Sequence, residues 1–233
     1  MDKNKYVDFV SDAFFLKCIG SVCNAYYEIK EDVSIEDLKG NGLDPFKTVF
    51  DIANRGLDFD SWIKGEVSRQ ADKTLNNKIG EFHQNLLGGV VGWTNLGVGD
   101  DSKLDLKKDD NSIFIELKNK YNTTNADSAD KVRDKLENAI KRHPTATAYL
   151  AYIISKDNGS GQKVWNKRGR KVDERIRKIW GADVYGLVTG DKLALKKTWQ
   201  ALPIAISDYF KVEQKISKAD MKKLIEHFGS ALG

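Results

Sequence analysis

Apolar positions near the start of the chain recur at helical spacing. Tyr6, Phe9, Val10, Ala13, Phe14 and Leu16 form a broad stripe that breaks near Gly20, and the pattern predicts a packing helix over residues 3–30. Gly40, Gly42 and Pro45 then punctuate the chain before a second helix over 45–54, which Gly56 ends. A longer helix is expected over 61–87. It turns Trp62, Val67, Leu75, Ile79, Phe82 and Leu86 inward and leaves Lys64, Arg69, Lys73 and Lys78 on its outer side.

The period then changes. Glycines at 88, 89, 92, 97 and 99 lead into strands and a hairpin over 104–120. A charged helix over 126–142 follows, with Val132, Leu136 and Ile140 on one face and Pro144 as its stop. The nearly continuous apolar run at 146–155 reads as a central strand and the one at 183–190 as another; helices over 191–209 and 215–230 close the chain. This order predicts an α/β protein with a mixed central β-sheet flanked by helices and helical additions at both ends. One domain is expected over 1–233, made of a helical part (1–60), a core (61–210) and a C-terminal helix (211–233).

Composition narrows the function classes. The 233 residues carry 38 Lys and Arg against 34 Asp and Glu, a formal +4, which suits a polyanionic partner without requiring one. Cys18 and Cys23 are the only cysteines and no His/Cys cluster accompanies them, so neither a disulfide framework nor a zinc site is indicated, and a cytoplasmic protein is expected. No apolar run approaches the roughly 20 residues that span a bilayer, so a membrane role is not expected. GGVVGWTNLGVG lacks the Gly-Lys-Ser/Thr of a phosphate-binding loop and leads into a strand.

The candidate chemistry lies in the hairpin LDLKKDDNSIFIELKNKYNT, residues 104–123. Strand alternation puts Glu116 and Lys118 on one side, about 7 Å apart, with Ile113, Ile115 and Leu117 on the other. If Asp110 and Asn111 form a two-residue turn, Asp105 falls opposite Glu116, where paired Cα atoms lie about 4.5–5.5 Å apart. One hard cation such as Mg²⁺ could then touch both carboxylates, with water and phosphate completing its shell. The same charges also suit the solvated face of a plain hairpin with a cross-strand ion pair. The pattern alone is loose, and its context has to decide.

KTLNNKIGEFHQNLLGGVVGW, the hairpin, and VYGLVTGDKLALKKTWQALP together resemble type II restriction endonucleases of the PD-(D/E)xK superfamily, in particular the group that cuts GGNCC. The resemblance runs from about residue 44 to 203, and ELKNKYNT and GEFHQ are its most specific blocks. It implies the restriction-endonuclease-like αβββαβ core and Mg²⁺-dependent, site-specific cleavage of double-stranded DNA that leaves 5′-phosphates. A homodimer is implied because a palindrome needs two identical sites. Asp105 and Glu116 become metal ligands, and Lys118 the residue that positions or helps deprotonate water. Leu104 stands where the superfamily often has proline before the first acid.

By its place in GEFHQ, Glu81 is a further acidic candidate, as a ligand or as a support behind the ligands, with His83 and Gln84 as possible auxiliaries. In that context the basic run 162–178, with Lys163 and Lys167 among its DNA-binding candidates, suits phosphate contacts or readout of guanine, and Arg168 and Arg170 are the candidates for reading bases. Trp165 within it either stacks on DNA or is buried. Asn119, Lys120, Asn122 and Thr123 are expected beside the scissile phosphate, positioning backbone. A junction-resolving or repair nuclease on the same core, or a DNA-binding protein without catalysis, are the alternatives.

Overall fold

The computed structural model describes residues 4–27, 42–97, 99–123, 126–213, 216–229 and 232. By their contacts they divide into two compact units, residues 21–79 and the remainder.

In the smaller unit, α2 (Pro45–Arg55) begins where Asp44 accepts from the N–H groups of Phe46 and Lys47, with proline in the first turn. Gly56, in the left-handed region at φ 63, ends it, as the glycine pattern predicts. The expected long helix is α3 (Phe59–Gly88), whose first part belongs to this unit. Trp62 stacks on Phe59 at 6.0 Å, and buried Glu66 is paired with Arg69.

The larger unit contains the sheet. Its six strands are β1 (Trp93–Asn95), β2 (Leu106–Lys108), β3 (Ile113–Lys120), β4 (Thr147–Ile154), β5 (Gly161–Val164) and β6 (Ile176–Trp180), in spatial order β1-β2-β3-β4-β6-β5. β3, β4 and β6 run parallel, and β1, β2 and β5 pair antiparallel. The run α3, β1, β2, β3, α4 (Ala126–Arg142), β4 realises the expected αβββαβ order. α4 lays Val132, Leu136, Ala139 and Ile140 over Phe114, Ala148, Leu150 and Ile176. Each is fully or nearly fully buried, because the parallel strands are covered on both faces.

Four expectations change. α1 (Asp12–Tyr27) starts later than residue 3: residues 4–11 fold back so that Lys5 and Tyr6 donate to the Asp12 carboxylate, and Tyr6 stacks on Phe15 at 5.4 Å. Residues 28–30 of the expected helix lie outside the described residues. The segment read as a strand over 183–190 is helix α5 (Ala182–Thr189). Gly181, at φ 64, turns the chain out of β6, Val184, Tyr185 and Val188 bury one face, and left-handed Gly190 stops the helix. A short apolar run reads alike for a buried strand and a buried helix.

The missing strands are β5 and β6, which overlap the two ends of the basic run 162–178. β6 hides its pattern because Ile176 and Ile179 are both buried while Arg177 and Lys178 between them are half-buried. The two-residue turn is the fourth change. Asn111 N–H reaches Lys108 O at 2.8 Å, Asn111 takes φ 56, and residues 109–112 connect the strands. Both connections are even in length, so the register survives: Leu106 opposes Ile115, Lys107 opposes Phe114, and the next step carries Asp105 to Glu116.

The helical ending is α6 (Ala194–Phe210) and α7 (Lys218–Phe228). Cys18 and Cys23 are both free and buried, and burial pushes the Cys18 thiol up to about 11. Among the described residues no helix is long and apolar enough to cross a membrane.

Gly88 fixes how the end of α3 meets β1. A Cβ there would lie 2.5 Å from the Asn95 Cβ and 2.7 Å from its backbone nitrogen. Gly88→Ala is therefore expected to lower stability by about 2 kcal/mol, read from chemical denaturation.

Candidate active site

At Asp105 the β2–β3 ladder opens. Its N–H still donates to Ile115 O (3.0 Å), but its Oδ2 accepts from Leu117 N–H (2.6 Å), so a carboxylate replaces a ladder carbonyl. Burial, reinforced by the negative charge of Glu116, pushes the Asp105 carboxyl up to about 6. Glu116 itself is only 2% exposed, which removes the solvated-hairpin explanation of the charge pattern. Lys118 Nζ donates to its Oε1 at 2.8 Å, on the same side of β3. Burial works against the Lys118 ammonium, but Glu116 and Asp105 outweigh it and its pKa rises, so this lysine holds its proton here.

Lys135 of α4 was not singled out from the sequence. Its Nζ reaches both oxygens of Glu116, at 2.9 and 3.1 Å. A signal existed: it lies three residues after Val132 on the edge of the apolar stripe, the position from which a lysine covers apolar surface and presents its charge at the rim. Two carboxylates and two ammonium groups thus meet on the α4 face of the sheet.

This donor set fits a hard divalent cation. Among the described residues no group of three or more His, Cys, Asp or Glu side chains assembles. Mg²⁺ is commonly bound by one or two carboxylates plus water and phosphate, so Asp105 and Glu116 suffice as protein ligands. Burial first, and the Glu116 charge after it, disfavour the Asp105 carboxylate, and an added cation would favour it.

The other candidates are distributed around this centre. Glu81 is exposed on α3, in the turn where a Cβ on Gly80 would lie 4.0 Å from that of Asn119 at the end of β3. Gln84 is half-buried on α3, and Lys120, Asn122 and Thr123 are exposed, the last two in a 3-10 turn. His83 is turned instead toward α5, with Nδ1 2.7 Å from the Tyr185 hydroxyl. Burial keeps that phenol protonated, so it donates to a neutral imidazole, and burial lowers the His83 pKa to about 4.

Since an unfolded histidine titrates near 6.5, the unfolded chain binds the extra proton between those values, and stability falls as pH drops through that window. About 2 kcal/mol is expected to be lost between pH 7 and pH 5, and His83→Gln should flatten this part of the pH profile in denaturant titrations.

The basic segment is held by α4. Lys167 pairs with Asp130 at 2.6 Å, and Arg170 reaches Asp134 at 2.7 Å, Asp130 at 3.3 Å and Glu137 at 3.5 Å. Arg168 is exposed, and so is Lys163, whose Nζ lies 5.7 Å from the Trp180 ring. Trp165 is buried, which decides against stacking on DNA, with Arg133 and Lys178 over its ring. Arg133, 1% exposed, donates to Trp165 O (2.7 Å) and Lys171 O (3.0 Å) and ties the segment at both ends. No sequence signal marked it.

Comparison with known proteins decides what this centre belongs to. The family model described as Eco47II restriction endonuclease matches residues 7–211. The chain belongs to the Eco47II restriction endonuclease family. Among curated relatives, the type II restriction enzyme Sau96I of Staphylococcus aureus is 32% identical over 222 residues, covering 91% of this chain and 84% of that protein. The type II restriction enzyme Eco47II of Escherichia coli is 34% identical over 224 residues, covering 88% of this chain and 90% of its own. The chain is thus a type II restriction endonuclease, a site-specific deoxyribonuclease acting on double-stranded DNA.

Proposed function

We propose that this restriction enzyme is a Mg²⁺-dependent homodimer that hydrolyses both strands of duplex DNA at a GGNCC-like palindrome and leaves 5′-phosphates. The observation that carries the chemical part is the buried Glu116 carboxylate, next to Asp105 and bonded to Lys118 on one face of the sheet. Asp105 and Glu116 would hold the metal. When bound, Mg²⁺ supplies Lewis acidity toward the phosphodiester and lowers the pKa of water.

The protein's own groups do the rest. Lys118 presents an ammonium beside the carboxylates, where it orients water and stabilises charge building on the phosphate. The hydrogen bond from Leu117 N–H fixes the Asp105 carboxylate, so its geometry does not have to be found during the reaction. The exposed groups of 120–123 adjoin this face and suit the flanking backbone, while Arg168 is the exposed arginine of the 165–170 turn and suits base edges. Glu81, at the turn of α3 beside the end of β3, suits a supporting acid.

The GGNCC assignment and the dimer rest on family resemblance and on the twofold symmetry of such a site. The test is incubation of unmethylated, mixed-sequence duplex DNA with the protein and Mg²⁺, followed by mapping of the cut ends, with chelator added in a parallel arm. Cleavage at one short palindrome, abolished by chelation, is expected. Intact DNA across all sequences, or cutting indifferent to chelator, sinks the proposal. Ends at branched junctions alone favour the junction-resolving alternative.

A further inference from the structure

Glu116 is served from two sides. Lys118 comes from its own strand and touches one oxygen; Lys135 comes from α4 and holds both. A divalent cation drawn to this carboxylate competes with these ammonium groups for the same lone pairs. Lys118 is confined by its place two residues along the strand. Lys135 is not: it is also part of the wall of a groove of about 420 Å³ between α4, the 100–103 turn and the β2–β3 hairpin.

Lys103, Lys107 and Arg142 line the same groove, against the two acids Asp100 and Asp101. Asp100 is occupied by Ser102, whose N–H and hydroxyl donate to its Oδ1 at 2.8 and 2.5 Å. Lys107 Nζ donates to Asn111 Oδ1 at 3.1 Å, which leaves its remaining donors for another acceptor. By the strand register Lys107 shares its face with Phe114, and therefore with Glu116. The groove is thus a cationic extension of the catalytic face.

We propose that Lys135 is an exchangeable counter-cation of Glu116: a divalent metal displaces it from the carboxylate, and the released ammonium contacts a DNA phosphate lying along the Lys103–Lys107–Arg142 groove. The proposal rests on the nuclease reading above and adds to it a residue that links metal binding to strand binding. Lys135 is a positioning residue, since it acts on the reaction through Glu116 and through the bound backbone.

Two measurements separate this from a structural role, and neither depends on turnover. The first is Mn²⁺ titration of the full chain, without DNA, followed by electron paramagnetic resonance. Lys135→Met keeps the aliphatic stem and removes the charge, and it is expected to tighten Mn²⁺ binding at least about tenfold by deleting the competing cation. Lys135→Arg keeps the charge and should stay close to wild type. Unchanged or weaker Mn²⁺ binding in Lys135→Met overturns the proposal, because a lysine that only supports the fold gives that result. Lys135→Gln, equally uncharged, repeats the test should the Met variant fold poorly. If Glu116→Gln binds Mn²⁺ as wild type does, the metal-site reading itself fails, and this proposal with it.

The second measurement is duplex-DNA affinity against salt in the Glu116→Gln background, where Lys135 has no carboxylate to hold. Adding Lys135→Met should reduce the log–log salt slope by about one phosphate contact. An unchanged slope overturns the phosphate half.

Discussion

Glu116→Gln is expected to lower the rate of duplex cleavage by about 10³-fold or more, roughly 4 kcal/mol of transition-state stabilisation. The substitution keeps the shape of the side chain and removes the charge of the most buried member of the centre, a carboxylate 2% exposed that receives two ammonium groups. It removes one of the two carboxylates proposed to hold the metal, and Asp105 alone cannot replace it. Lys118→Ala should cost about 10²-fold through the lost stabilisation of charge on the phosphate. Because the two residues act as a unit, the double variant should be little worse than Glu116→Gln alone. Single-turnover cleavage at saturating protein measures each. The fold should survive, since Lys118 and Lys135 are each 30% exposed and keep access to water. Cleavage by Glu116→Gln within about tenfold of wild type would remove Glu116 from the mechanism.

The largest stability loss is expected at Arg133. Its guanidinium donates to Glu137 Oε1 at 2.7 Å and to the carbonyls of Trp165 and Lys171, with the Trp165 ring 5.7 Å away. Arg133→Ala leaves two carbonyls without these donors and opens a cavity, at a cost of about 3–5 kcal/mol. For a chain of this size that lowers the melting temperature by about 10 °C, readable by calorimetry. Lysine should not rescue it, because an ammonium cannot span three acceptors in the plane of a guanidinium. The variant should also bind DNA more weakly, since both bonds to backbone bracket the segment that carries Lys167, Arg168 and Arg170. Melting within about 2 °C of wild type would show that the segment is held by its ion pairs to α4.

Those ion pairs change how the basic run is understood. From composition, residues 162–178 look like a free cationic loop. In the fold, Asp130, Asp134 and Glu137, spaced along one face of α4, hold Lys167 and Arg170. DNA that takes these two cations has to compete with helix carboxylates, whereas Arg168 is already exposed.

What the sequence determined by itself was local and periodic. Alternation along 113–120 placed Glu116 and Lys118 on one side of a strand. The even-length connection after Lys108 set the register that brings Asp105 to them, even though the turn has four residues instead of two. The apolar stripe of α4, the Pro45 start and Gly56 stop of α2 and the central strand β4 were legible for the same reason: each depends on neighbours within a turn or two of backbone. Tertiary structure alone decided the identity of 183–190, a short apolar run that suits a buried strand and a buried helix alike, and of β6, where half-buried Arg177 and Lys178 separate buried Ile176 from buried Ile179 and break the strand alternation. It also decided which charges meet. Lys135 reaches Glu116, Arg133 reaches the 165–171 carbonyls and His83 reaches Tyr185 only because packing of the helices on the sheet brings distant residues within hydrogen-bond range, where short distance and exclusion of water set partners that no spacing rule encodes.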